Sequence, residues 1–332
     1  MKRTALFIAL VLAPCILIFV SLFIGRYPID FSTVLKVFLS YFTSIEVADI
    51  DKTVVMDIRL PRVLLGAFVG ASLAISGAAF QGLFRNPLVN SGLLGVSSGA
   101  GFGAALAIIL FNNTLLVYVF AFGFGVLAVV ASYLIARTYN TAPTIMLVLG
   151  GVIVSSIFSS LISLAKYMAD PYDQLPTIVF WLMGSLATAR YQDLLYAGAP
   201  MLIGIIGLVL MRWHLNILSM GDKEARTLGA NTNLMKTLVI GFATLATAGA
   251  VCVSGIIGWV GLVIPHIARM IVGNDNRILI PVTISLGASY LVLIDNMARM
   301  LTGSEIPLGI LTAIVGGPFF VYILKRTKGA SW

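Results

Sequence analysis

The longest uncharged stretch of this sequence, residues 86–136, contains no Asp, Glu, Lys or Arg. As one α-helix it would be about 75 Å long, because each residue adds about 1.5 Å. The hydrocarbon core of a bilayer is about 30 Å thick, so a single crossing needs about 20 apolar residues. The stretch therefore predicts two membrane-spanning helices, with Asn112-Asn113-Thr114 as the turn between them.

The composition extends this prediction to the whole chain. Charged residues make up 10% of the 332 residues and hydrophobic residues 59%, whereas a soluble domain has about 25% charged residues. Most of the surface must therefore face lipid. In such a protein the net charge of +8 indicates cytoplasmic loops and contact with anionic headgroups, and it gives no reason to expect nucleic acid. The two cysteines, Cys15 and Cys252, both lie in apolar runs and predict neither a disulfide framework nor a metal site.

The apolar pattern predicts an all-α polytopic membrane protein with ten transmembrane helices in a single domain, residues 1–332. The first apolar run is longer than that of a signal peptide, so we interpret it as a transmembrane helix. A turn at Ser254-Gly255 leaves the eighth span short, with Pro265 inside it. The predicted spans are 5–25, 63–83, 92–111, 115–136, 143–165, 193–212, 233–253, 256–272, 278–298 and 307–325.

The distribution of charge predicts the orientation. Ten spans place both termini on one side, and if that side is cytoplasmic it holds thirteen basic residues and three acidic ones. The outer side then holds eight basic and ten acidic residues, in agreement with the positive-inside rule. The same orientation places Arg59 and Arg62 at the outer mouth of the second span, where that rule does not explain them.

Two segments outside the spans are distinctive. The outer segment 169–193 mixes aromatic residues with Pro and Gly, which predicts a short helix at the membrane interface. The inner segment 218–233 places a polar block between Gly221 and Gly229, and Asp222 and Arg226 form a predicted i,i+4 ion pair. This second segment is either a solvated loop or a compact element that a cytosolic partner grips.

Few ionisable side chains fall within the spans, although intramembrane catalysis and proton transport depend on such groups. His214 and His266 are isolated, whereas a catalytic zinc needs three protein ligands. The sequence also has no GxxxxGK[ST] motif for binding nucleotide phosphates. We therefore predict no catalytic residue and no metal site, and the shortage disfavours two alternatives, an intramembrane enzyme and an ion-coupled carrier. Energy for uphill transport would have to come from another subunit.

Several segments together resemble one family. They are "IRLPRVLLGAFVGASLAISGAAFQGLFRNPL" (58–88), "GLLGVSSGAG" (92–101), "FWLMGSL" (180–186), "MGDKEARTLGA" (220–230), "SGIIGWVGLVIPHIARMIVGNDNR" (254–277) and "DNMARMLTGSEIPLGILTAIVGGPFF" (295–320). In this order and spacing they are similar to FecCD-type permease subunits of ABC importers, which take up ferric siderophores, haem and vitamin B12. The resemblance covers residues from about 50 to 326.

This resemblance implies a vitamin B12 importer-like (type II) permease fold and a homodimer with the transport path on its two-fold axis. It implies two cytosolic ABC ATPase subunits, which bind ATP and magnesium, so this chain would hold no cofactor. A periplasmic or lipoprotein substrate-binding protein would dock from outside, and the complex would sit in the lipid of a bacterial inner membrane. A ferric siderophore is the first choice of substrate, while haem, cobalamin and a molybdate-like oxyanion stay open.

The resemblance also implies roles for particular residues. Arg59, Arg62 and Arg299 match outer arginines that pair with acidic residues of the binding protein. The alternative for each is an interfacial anchor or a pair within the subunit, for example Arg299 with Asp295. Thr144 matches the cytoplasmic gate. The ATPase-coupling positions are Gly221, Asp222, Glu224, Ala225, Arg226, Leu228 and Gly229.

Overall fold

The protein is built from helices, and the computed structural model describes residues 2–111, 113–137 and 143–326. No strand is present in these ranges. The helices are α1 (Lys2–Ser21), α2 (Phe31–Leu39), α3 (Asp49–Lys52), α4 (Leu60–Phe84), α5 (Val96–Phe111), α6 (Thr114–Ala136), α7 (Thr144–Met168), α8 (Gln174–Met183), α9 (Tyr191–Leu210), α10 (Arg212–Met220), α11 (Asp222–Thr227), α12 (Thr232–Ser254), α13 (Val260–Val272), α14 (Asn276–Met300) and α15 (Leu308–Arg326).

A helix lies in each of the ten predicted spans. Six helical stretches are long and apolar enough to cross a membrane by length and composition: Asp49–Phe84, Thr114–Ala136, Thr144–Met168, Tyr191–Leu210, Thr232–Ser254 and Asn276–Met300. Of the helices in the other four predicted spans, α5 has 16 residues and α13 has 13, whereas α1 has 20 and α15 has 19. A multi-pass membrane protein is thus confirmed, while the count of ten crossings and the side of the termini stay predictions.

The helix in the eighth predicted span is the shortest of the ten. This helix, α13, begins only at Val260 and has 13 residues, which is roughly 20 Å of helix. Gly255 and Trp259 both have φ of +68°, in the left-handed region, so the chain makes a non-helical connection before α13. The turn predicted at Ser254-Gly255 is present, and it extends further along the chain than the sequence indicated.

The turn predicted at residues 112–114 is partly visible, since Asn112 lies outside the described residues. Asn113 caps the N-terminus of α6, where its Oδ1 accepts hydrogen bonds from the amides of Leu115 at 3.0 Å and Leu116 at 3.2 Å. Such a cap satisfies amide groups that have no partner within the helix. The uncharged stretch is therefore divided into two antiparallel helices, α5 and α6, that pack along each other.

Helix α4 lies at the centre of the fold and packs against α9, α12, α13 and α14. Almost all of its 25 residues are buried. A Cβ on Gly70 would lie 2.2 Å from the carbonyl oxygen of Gly287 on α14, and one on Gly77 would lie 1.9 Å from that of Gly261 on α13. Small residues in membrane helices allow this close approach of backbones.

The segment before α4 is also helical but more loosely wound. Residues Thr53–Arg59 form a π-helix between α3 and α4, so the chain is one continuous helical stretch from Asp49 to Phe84. The hydroxyl of Tyr191, at the start of α9, donates a 2.6 Å hydrogen bond to the carbonyl oxygen of Met56 in this segment. A π-helix within an α-helix is rare and is frequent at functional sites.

Candidate functional site

At the predicted outer end, Arg62 binds two carboxylates at once. It lies in the first turn of α4 directly after Pro61, a residue suited to the start of a helix. Its Nε and Nη2 donate to Asp295 at 3.0 and 2.8 Å, and its Nη1 and Nη2 donate to Glu305 at 2.9 and 2.8 Å. Arg62 is 5% exposed and Asp295 is 2% exposed. These bidentate pairs connect α4 with α14 and with the segment between α14 and α15.

Two further arginines fasten the connection between α1 and α2. The guanidinium group of Arg299 donates to Ser21 Oγ at 2.8 Å and to the carbonyl oxygen of Ile24 at 3.1 Å. Its Nε lies 3.3 Å from Asp295 Oδ2. Arg59 donates to the carbonyl oxygen of Leu22 at 2.7 Å and also to that of Tyr27. Both arginines are buried.

Glu305 lies outside the helices, and its charge state reflects the Arg62 contact. Burial alone would raise the pKa of the Glu305 carboxyl, but the hydrogen bonds and the charge of Arg62 outweigh burial and hold the pKa below its usual value. The carboxylate is therefore the stable form, and the pair persists at neutral pH.

All three predicted docking arginines therefore point into the subunit. A direct contact with a separate protein requires an exposed charge, whereas these guanidinium groups are buried and bonded within the chain. The geometry favours the alternative that the sequence left open, pairing within the subunit, for Arg62 and Arg299. A part in docking stays a prediction for these residues.

At the other end, the predicted coupling element is a helix between two glycines. Gly221 precedes α11 with φ +120°, and Gly229 follows it with φ +78°, values that favour glycine. Within the element Ala225 is fully buried, while Leu228 is largely exposed. The element thus has a buried face that anchors it and an exposed side.

The ion pair predicted between Asp222 and Arg226 does not form. Asp222 Oδ2 instead lies 2.6 Å from Lys236 Nζ, and Arg226 Nε donates to Thr232 Oγ1 at 3.2 Å. Both partners belong to the first turns of α12. Asp222 therefore pairs with Lys236 on α12, whose side chain is buried, and not with Arg226, which is exposed on α11.

Lys236 is a functional candidate that the sequence did not single out. It is 2% exposed, and besides Asp222 it donates a long hydrogen bond of 3.5 Å to Thr144 Oγ1. Thr144 is the first residue of α7. Lys236 thus joins the coupling element to the predicted gate. In the sequence it stands out only as a charged residue within a predicted span. It is counted among the basic residues that predict the orientation of the chain.

The described residues contain no group of three or more His, Cys, Asp or Glu side chains that could hold a metal ion. His266 is buried in α13 and His214 lies in α10, so the two histidines belong to different helices. The site is therefore an arrangement of ion pairs and helix contacts at the two ends of a bundle.

Known proteins with this sequence pattern are transport components. The model of the FecCD transport family matches residues 11–326. The molybdate import system permease protein MolB of Haemophilus influenzae is 44% identical over 92% of both chains. An iron chelatin transport system permease protein of Helicobacter pylori is 41% identical over 83% of both chains.

A solved structure has the same fold over almost its whole length. It is described as an inward-facing conformation of a metal-chelate type ABC transporter, and it superposes with a TM-score of 0.88 at 39% identity. The match covers 97% of this chain and 99% of that one. The chain therefore belongs to the FecCD transport family and is a multi-pass ABC importer permease.

Proposed function

We propose that this chain is the membrane-spanning permease subunit that moves a metal-chelate-type solute into the cytoplasm. It works in a bacterial inner membrane as a homodimer, with both termini in the cytoplasm. Two separate ABC ATPase subunits bind and hydrolyse ATP, and a substrate-binding protein delivers the solute to the outer face. The family membership and the ABC transporter fold support this assignment.

One observation carries the ATP-driven part of the proposal. The coupling element α11 is held by glycine turns at both ends and connects through Asp222 and Lys236 to Thr144, where α7 begins. When the ATPase subunits close on ATP, they displace α11, and the displacement reaches the cytoplasmic gate along these contacts. The coupling residues are Gly221, Asp222, Glu224, Ala225, Arg226, Leu228 and Gly229.

The outer face receives the binding protein. In our proposal Arg59, Arg62 and Arg299 act from inside, because they fix the two connections that form this face, residues 22–30 and 301–307. Arg62 and Arg299 share two carboxylates, Asp295 and Glu305, so these four charges balance. Arg59 binds backbone carbonyl oxygens of the first connection, so the three arginines act by holding the two connections in place.

The substrate class has two candidates. A ferric siderophore or a related chelate agrees with the iron chelatin relative and with the metal-chelate type neighbour. A molybdate-like oxyanion is the second candidate, because the molybdate permease relative has 44% identity over 92% of both chains. Haem and cobalamin are further chelates of the first class.

Coupling is tested in proteoliposomes that contain the permease, its ATPase and the binding protein. We expect a variant with Asp222→Ala, Arg226→Ala and Gly229→Ala to lose ATP-driven uptake while it still inserts in the membrane. A triple variant with Asp170→Ala, Asp173→Ala and Arg190→Ala, all on the predicted outer side, is the matched control. Undiminished uptake in the first variant would remove the coupling assignment.

Substrate class is tested on the cognate binding protein. The protein is purified from cells and its bound metal is measured by mass spectrometry, together with uptake of labelled iron chelate and labelled molybdate. Iron bound as a chelate supports the first candidate, whereas molybdenum with competitive molybdate uptake supports the second.

A further inference from the structure

A polar cavity of about 220 Å³ lies beside the coupling element. Two arginines line it, Arg85 at the end of α4 and Arg269 in the last turn of α13, together with the amide side chains of Gln81, Asn86 and Asn276. None of its lining residues is Asp or Glu. The cavity is therefore rich in hydrogen-bond donors and has a positive charge that its own walls do not neutralise.

Arg269 is the more enclosed of the two arginines. It is half-buried, and its Nη1 donates a hydrogen bond to Gln81 Oε1, a neutral acceptor. No carboxylate of the described residues forms an ion pair with it. Enclosing a guanidinium group is unfavourable unless an anion compensates it. The positive charge of Arg269 is thus not balanced by an ion pair within the described residues.

Arg85 has an unusual backbone for a residue with a side chain. Its φ of +50° and ψ of +38° place it in the left-handed region, where it ends α4. Non-glycine residues in this region are strained and are often found at functional sites. In the described part of the chain no ion pair holds its guanidinium group.

The cavity and the coupling element form one continuous surface. A Cβ built on Gly221, the residue before α11, would lie 3.0 Å from Arg85 Nη1 and 2.5 Å from Glu224 Oε2. Ser219, two residues earlier, also lines the cavity. A protein that docks on α11 therefore lies close to Arg85 and to the cavity that Arg85 lines.

We propose that this cavity receives an Asp or Glu side chain of the ATPase subunit, as a second anchor beside α11. The inference rests on the proposed function, since it requires that an ATPase docks on this face. A carboxylate fits the planar donor pattern of two guanidinium groups with amides around them. It also supplies the directly bonded carboxylate that neither Arg269 nor Arg85 has among the ion pairs of the described residues. The cavity thus makes the docking of the ATPase dependent on charge as well as on shape.

The test uses the full-length permease and measures how tightly it holds its ATPase in a neutral detergent. We expect Arg85→Glu to weaken ATPase binding by roughly tenfold, because it places like charges together in the contact. The matched control is Arg212→Glu, the same change of charge at an exposed residue on α10 that does not line the cavity. We expect the control to change the affinity by less than about twofold.

Two further measurements keep the test independent of folding. Arg85→Gln should leave the melting temperature unchanged and reduce the loss of ATPase binding between low and high salt, since one screened pair is removed. Equal effects of Arg85→Glu and Arg212→Glu would overturn the inference. An effect of Arg85→Gln that appears only in vesicles of anionic lipid would also overturn it, because the anion would then be a lipid headgroup. A wild-type permease that binds no ATPase would refute the proposed function itself.

Discussion

The two ends of this permease hold their charges in opposite ways. At the predicted outer end, Arg62 on α4 and Arg299 on α14 are buried and both pair with the buried Asp295 of α14. At the predicted cytosolic end, the Asp222 side chain is 39% exposed and reaches Lys236 through a single ion pair. A buried network with several bonds to each charge resists displacement, whereas single contacts to an exposed helix can rearrange. We infer that the outer end is fixed and that the cytosolic end moves.

The substitution with the largest expected effect is Asp295→Asn at the predicted outer end. The substitution keeps the size of the side chain but leaves the buried Arg62 and Arg299 with too little negative charge. We expect a loss of about 3–5 kcal/mol in stability, as is typical when one partner of a buried ion pair is removed. Thermal unfolding in detergent measures it.

The matched control is Asp173→Asn, an exposed aspartate on the same predicted side. We expect it to change stability by less than about 0.5 kcal/mol, because exposed substitutions away from special contacts have small effects. If both variants unfold at the same temperature as the wild type, the buried ion pairs at the predicted outer end do not hold that end in place.

The cytosolic end is tested with Lys236→Met. Methionine has a similar length, and the partly exposed Asp222 can be hydrated, so stability should change little. The link from α11 to Thr144 is lost, however. We expect the coupling free energy to fall by about 1–2 kcal/mol, which lowers ATP-driven uptake roughly five- to thirtyfold. The measurement is the number of solute molecules taken up for each ATP hydrolysed.

Lys236→Arg is the control, since it keeps the charge and can bond to Asp222. A general structural defect would lower ATP hydrolysis and uptake in parallel, and that result would contradict a role in coupling. Retained ATPase activity with lost uptake is the expected signature.

The smallest expected effect concerns pH at the outer end. Arg62 holds the pKa of Glu305 below the usual value of 4.5. The stabilisation from this pair is complete above pH about 4.5, the value for the unfolded chain, and is lost as the pH falls through the lower pKa of the folded chain. Glu305→Gln should therefore show a weaker pH dependence of melting temperature below 4.5 than the wild type. Parallel curves would contradict this.

The sequence predicted the helices better than it predicted their contacts. The ten apolar segments could be recognised because each is a continuous run of residues in the sequence. The α11 element could be recognised in the same way, from Gly221 and Gly229 on either side of a short polar block. Small residues four apart, such as Gly99 and Gly103 on α5, share a helix face, and both approach the backbone of α6 closely. The sequence pattern was sufficient for features that depend on residues close to each other in the chain.

The charged contacts could not be predicted in the same way. Arg62 and Asp295 are 233 residues apart, and no pattern along the chain relates them. The sequence places Arg62 at the outer mouth but does not show whether it points outward or inward. Similarly, Asp222 binds Lys236 rather than Arg226, because burial on a neighbouring helix decided between two nearby cations. Only packing between helices distinguishes such alternatives.

The pairing of Arg62 with Asp295 has a consequence for the synthesis of the protein. The ribosome makes residue 295 long after residue 62, and at about 5–20 residues per second the interval is on the order of 10–50 seconds. During this time the guanidinium group of Arg62 has neither of its carboxylate partners. We expect it to wait at the headgroup level, where a long basic side chain can keep its charge in water. The ion pairs of α4 therefore form only after α14 and the segment that follows it have been made.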